Sequence, residues 1–352
     1  MMSSSKARRA PVVLVAGLLA LAGCGGQGAG ARPAAVASLR PRPAVSLAAP
    51  KPAARDPLTG MLATDPARAD RPPLSVKIDN VAGSFPQAGL NQADLVADVL
   101  VEGGLTRLFA TFQSQDAVSI GPIRSARPVD ADLLRLFGVS GGIFVYSGAA
   151  TGEIAPTIAH GNALRLSMDN GAPYFHRVGN YAAPHDVFSS TAQLYAGALT
   201  LDPHLGPPRS VFSYSTRVPA GTVVRQVTLP FSTVSSAGWT WTGRQYLRTQ
   251  NGSADMLTDG SQVSTTNVVI MSAAVAGTGI FDQAGNQDPL DVIIGSGQCW
   301  VLRDGRLVRG TWERPGYGDP MRLVDAAGHV ITLRPGRTWL EVLPRPEAPA
   351  FS

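Results

Sequence analysis

Leu74-Ser75-Val76-Lys77-Ile78-Asp79 alternates apolar and polar residues with a period of two. That pattern predicts a strand with Val76 and Ile78 on one face and Lys77 and Asp79 on the other. Downstream, Leu95 to Val101 is a near-continuous apolar run interrupted by Asp98, and Leu108 to Phe112 is a second such run. Gly103-Gly104 between them predicts a turn. Leu133, Leu134, Leu136 and Phe137 give Asp130–Phe137 helical spacing, Gly142–Tyr146 reads as another strand, and Ser189–Leu201 as a helix capped by Ser189 or Ser190. Strands alternating with helices predict a mixed α/β domain over 57–205.

From 210 to 345 the pattern turns β-rich. Thr222–Leu229 and Val268–Met271 are strand-like, and Trp300–Val308 predicts a hairpin on Asp304-Gly305. Met321–Val324 and His329–Leu333 form a similar pair across Ala326-Ala327-Gly328. The expected class is therefore α+β: a mixed α/β N-terminal domain followed by a smaller β-rich domain.

The N-terminus has the order of a secretory signal: Lys6, Arg8 and Arg9, then an apolar run from Pro11 to Leu21 too short to span a bilayer. It ends in Leu21-Ala22-Gly23-Cys24, similar to the lipobox of bacterial lipoproteins. Residues 1–23 are thus expected to be a signal peptide and Cys24 to carry a diacylglycerol anchor. Residues 24–55, rich in Ala and Pro, bury too little apolar surface to offset ordering entropy and are expected to form a disordered tether. The expected location is the outer face of the bacterial cytoplasmic membrane.

Charge divides along the same boundary. The chain carries 30 Lys and Arg against 25 Asp and Glu, a net +5. Eight of the basic residues and no acidic one lie in 1–55, so the remainder has 22 against 25, a net of −3. A nucleic-acid footprint needs a basic folded domain, so nucleic acid is not an expected partner. Of the two cysteines, Cys299 lacks a partner if Cys24 is acylated, and it reads as a small buried hydrophobe.

Several segments together resemble the YerB-like family of bacterial lipoproteins. They are Lys77-Ile78-Asp79-Asn80, Pro86-Gln87-Ala88-Gly89-Leu90, Ala93-Asp94-Leu95-Val96, Val101-Glu102-Gly103-Gly104-Leu105-Thr106-Arg107, Ile120 through Arg127, and Ala183-Pro184-His185-Asp186. Gly295-Ser296-Gly297, Gly310-Thr311-Trp312 and Pro335-Gly336-Arg337-Thr338-Trp339 continue the resemblance. It implies a lipoprotein with a mixed N-terminal and a β C-terminal domain, and no particular reaction. The common form of the family has Asn where Asp186 stands here.

The candidate cleft residues are Lys77, Asp79, Glu102, Arg107, Arg124, Arg127, His176, Arg177 and His185. Arg124 and Arg127, three apart before the helix at Asp130, could form a forked anion site. Alternatively, they pair with Glu102, Asp79 or Asp130 as an internal network. His176 and His185 could serve in acid/base work, but no spacing matches a metal motif, and neither metal nor cofactor is expected. Trp300, Trp312 and Trp339, with Tyr317, are either a sugar-stacking platform or core. Two functions follow as expectations. One is binding of peptidoglycan or an anionic wall polymer by a membrane-anchored protein. The other is a wall-modifying hydrolase or lyase using Glu102 and Asp79.

Overall fold

Every residue of strand β1 (Leu74–Asp79) is buried, although its sequence alternates. The reason is that both faces of its sheet are covered, as strands deep in a mixed α/β layer require. In the computed structural model, residues 54–149, 158–282 and 284–352 are described. Cys24, the signal peptide and all but the last two residues of the expected tether lie outside them.

Strands β2 (Leu95–Leu100), β3 (Thr106–Phe112), β4 (Ile143–Tyr146) and β5 (Leu164–Ser167) join β1 in one large sheet. Its order is Arg322–Val324, Arg306–Arg314, Gly295–Arg303, Asn267–Phe281, Thr338–Pro344, β2, β3, β1, β4, β5. The halves read separately in the sequence thus share a sheet. Thr338–Pro344 runs parallel to β2 on one side, with Glu341 beside Asp98, and parallel to Asn267–Phe281 on the other. The expected hairpin closes at Arg303 and Arg306 around Asp304 and Gly305, both with positive φ.

One face of the sheet packs Val76, Ile78, Val96, Leu108 and Trp339 against the helix Thr191–Leu201 and a smaller antiparallel sheet that supplies Val227, Leu229, Trp239 and Tyr246. Ser190 caps that helix by accepting from Gln193 N. The other face packs Ala97, Val99, Phe109, Leu340 and Val342 against the helix Asp130–Leu136. Trp312 and Trp339 are about 1 % exposed and Trp300 about 8 %. These tryptophans are core, and the stacking platform considered from sequence is corrected: rings enclosed by both layers offer no face to a sugar. Cys299 is likewise buried in the second core, where desolvation raises its thiol to about 12. Among the described residues no helix is long and apolar enough to cross a membrane.

Candidate functional site

Because Lys77 and Asp79 share a face of β1, their side chains enter the layer above the second core. The Lys77 ammonium meets Asp130 Oδ1 at 2.7 Å, both side chains fully buried. Burial pulls the lysine pKa down, and Asp130 opposes that shift. The other Asp130 oxygen accepts the backbone N–H of Arg127 at 2.7 Å. The segment around Ile123 runs beside β1: Arg124 N donates to Lys77 O, and Asp79 N to Pro122 O, each at 2.9 Å. This backbone pairing brings the two arginines of the segment to the end of β1.

The arginines then diverge, and the two-arginine fork expected at the start of the helix does not form. Arg127 is buried, and its guanidinium engages both oxygens of Glu102, with Nε to Oε2 at 2.6 Å and Nη2 on Oε1. Its Nε also lies 2.9 Å from Asp288 Oδ1. Arg107, opposite Asp79 on β3, approaches Glu102 Oε1 at 3.6 Å and donates to Ser125 O at 3.3 Å. Buried arginines need such partners, and these contacts realise the internal-network alternative. The helix adds no anion site, because the Asp130 carboxylate at its first turn already serves Arg127 N and Lys77.

Arg124 differs. Its Nε is 3.1 Å from Asp79 Oδ2, its terminal nitrogens donate to no described residue, and its side chain is 19 % exposed. His185 Nδ1 meets the same oxygen, Asp79 Oδ2, at 2.6 Å, with the ring 20 % exposed. A cation and an imidazole therefore stand side by side on one buried carboxylate. Four cations (Lys77, Arg107, Arg124, Arg127) face four carboxylates (Asp79, Glu102, Asp130, Asp288), so attraction for an anion rests on the free Arg124 fork, not on net charge. The loop after β1 that passes His185 also lines, with Ala82, Phe85 and Pro86, a cavity of about 540 Å³ closed by Gln250 and Met256.

His176 and Arg177 lie apart on a two-residue strand paired with Val187–Phe188, both exposed. Arg177 Nη1 contacts Asp186 Oδ1 at 2.6 Å, and His176 makes no contact with the cluster around Asp79. Asp288 was missed from sequence; it lies in the strand Gln287–Val292, which pairs with Asn267–Phe281. Among the described residues, no group of three or more His, Cys, Asp or Glu could hold a metal ion.

A second buried network was signalled only by Asp98 within its apolar run. Arg248 of the smaller sheet bonds Asp98 at 2.5 Å and Asp255 at 2.6 Å, and Glu341 lies 4.0 Å from its Nε. Trp239 Nε1 donates to Glu341 Oε1 at 2.7 Å, and the guanidinium sits 4.8 Å over the Trp339 ring. Desolvation, reinforced by Asp98, raises Glu341 to about 8. Desolvation also raises Asp98, to about 6, against the pull of Arg248. One cation among three enclosed carboxylates binds the two sheets together. The Arg248, Asp98 and Glu341 side chains are fully buried, and Asp255 lies at the wall of the 540 Å³ cavity.

Residues 58–204 match the model described as "Protein of unknown function (DUF3048) N-terminal domain", and 227–340 match that family's C-terminal domain. The chain belongs to this family. Its two matched regions meet where Thr338–Pro344 pairs with β2. The Bacillus subtilis (strain 168) protein "Putative lipoprotein YerB" is 34 % identical over 134 residues, 38 % of this chain. The chain aligns with only 39 % of that relative's length. The fold is similar to the crystal structure of YerB protein from Bacillus subtilis, with a TM-score of 0.73 at 24 % identity, covering 84 % of this chain and 99 % of that one.

Proposed function

We propose that this family member is an exported lipoprotein, held at the outer face of the membrane through Cys24, whose folded body binds an anionic envelope component at Arg124. The observation that carries the binding half is the partly exposed Arg124 side chain, whose terminal nitrogens donate to no described residue while its Nε lies 3.1 Å from the buried Asp79 carboxylate. A guanidinium so held gives up little freedom when its terminal nitrogens take an oxyanion in two parallel hydrogen bonds. Leu21-Ala22-Gly23-Cys24 and the name of the Bacillus subtilis relative support the anchored half. A tether of about thirty residues would give the body reach beyond the bilayer. In this reading Glu102 holds arginines in place, because both its oxygens are spent on Arg127. That assignment favours binding over bond cleavage by Glu102 and Asp79.

The test is co-sedimentation of the full chain, in detergent, with purified cell-wall sacculi still carrying their anionic polymers. Retention at low salt, loss at high salt and loss in Arg124→Glu are expected. Equal retention of wild type and Arg124→Glu removes the Arg124 assignment, and no retention of either removes wall binding.

A further inference from the structure

We infer that the ligand of this site is an oxyanion bearing a hydroxyl group on a neighbouring carbon, with Arg124 taking the charge and His185 the hydroxyl. The inference rests on the anion reading above and adds a second contact to it. Asp79 Oδ2 lies 2.6 Å from His185 Nδ1, and in the neutral ring this bond sets the tautomer that carries its proton on Nδ1. Nε2 then presents a lone pair, and it has no hydrogen-bond partner among the described residues. A bare anion placed against that lone pair would be repelled. A hydroxyl satisfies it while leaving the charged oxygens for Arg124.

A second residue bears on the Nε2 edge. Gly83 packs on the His185 ring: a Cβ built there would lie 3.4 Å from Cδ2 and 3.7 Å from Nε2. Gly83 has φ +92, where other residues are strained, so the ring edge is flanked by a residue with no side chain to cover it. Arg124 Nε and His185 Nδ1 lie at the same carboxylate oxygen, and in this proposal one small ligand spans the two side chains. Phosphate esters of polyhydroxy alcohols and hydroxy acids share this chemistry.

The experiment is titration calorimetry of the full chain in detergent at low salt with matched pairs of probes. 2-Hydroxypropyl phosphate is compared with propyl phosphate, and lactate with propionate; the stronger pair identifies the oxyanion. The hydroxylated member is expected to bind about five- to tenfold tighter, the worth of one good hydrogen bond. His185→Ala and His185→Gln should erase that preference while retaining affinity for the matched plain anion. Arg124→Gln should weaken both members alike. Thermal melts of each variant check that it is folded, and the wild-type comparison needs no variant. Equal affinities within both pairs overturn the hydroxyl assignment and leave anion binding standing, whereas failure of all four probes takes both down.

Discussion

Asp98 and Glu341 stand side by side on adjacent parallel strands, both fully buried, and the single guanidinium of Arg248 answers them from the opposite sheet. The pairing joins three segments distant in sequence. It also makes the docking of the two sheets sensitive to protons.

Stability is expected to fall as the pH rises through the neutral range. Glu341 titrates at about 8 in the folded protein against an ordinary 4.5, so the folded state keeps a proton that the unfolded chain has released. Between those values unfolding releases a proton, and each pH unit costs about 1.4 kcal/mol per such group. Asp291, raised to about 8 by burial beside the backbone N–H of Leu100, adds to the same slope. Calorimetric Tm should therefore drop between pH 5.5 and 8.5, and less so in Glu341→Gln, which keeps an acceptor for Trp239. A Glu341→Gln slope identical to wild type would contradict this account.

Lys77 and Asp130 supply a second stability test. Lys77→Met leaves the Asp130 carboxylate enclosed without its cation, and removing one partner of a buried pair costs about 3–5 kcal/mol. Adding Asp130→Asn to Lys77→Met should recover part of that loss, because no charge is then stranded and Arg127 N retains an oxygen. Urea unfolding of the single and double variants measures this. A single variant within about 1 kcal/mol of wild type would show that water reaches the pair.

Trp339 is expected to matter for folding and not for ligand. Its ring meets Trp239 edge-on at 5.2 Å and carries Arg248 above it. Trp339→Ala should cost about 3–5 kcal/mol as a core truncation. The partly destabilised protein, kept folded at low temperature, should bind sacculi as wild type does. Loss of binding from a fully folded variant would revive the platform reading.

The sequence revealed local elements better than their assembly. The alternation in Leu74–Asp79, the Asp304-Gly305 hairpin and the Ser190 cap are each written within a few residues, and each is present. The parallel pairing of Thr338–Pro344 with β2 has no local signature, since its partners are over two hundred residues apart. The site divides in the same way. The arginines and acids around Asp79 were visible as unusual charges near strand ends. Which arginine would remain free depended on Asp288 arriving from another strand to join Glu102 at Arg127. The distinction between Arg124 and Arg127 is tertiary, and three residues of spacing could not supply it.

Asp186 offers the last test, because it follows His185 directly and pairs with Arg177. Its Oδ1 meets Arg177 Nη1 at 2.6 Å; Asp186 is itself buried, but the arginine side chain is more than half exposed, so solvent reaches the pair from the arginine side. Exposed ion pairs contribute roughly 0–1 kcal/mol, and an Asn oxygen can still accept from the guanidinium. The neighbouring His185 takes its orientation from Asp79, not from Asp186. Asp186→Asn should therefore change urea stability by less than about 1 kcal/mol and leave anion affinity as it was. A marked fall in affinity with stability intact would mean that the Asp186 charge reaches the ligand, and would extend the site to Arg177.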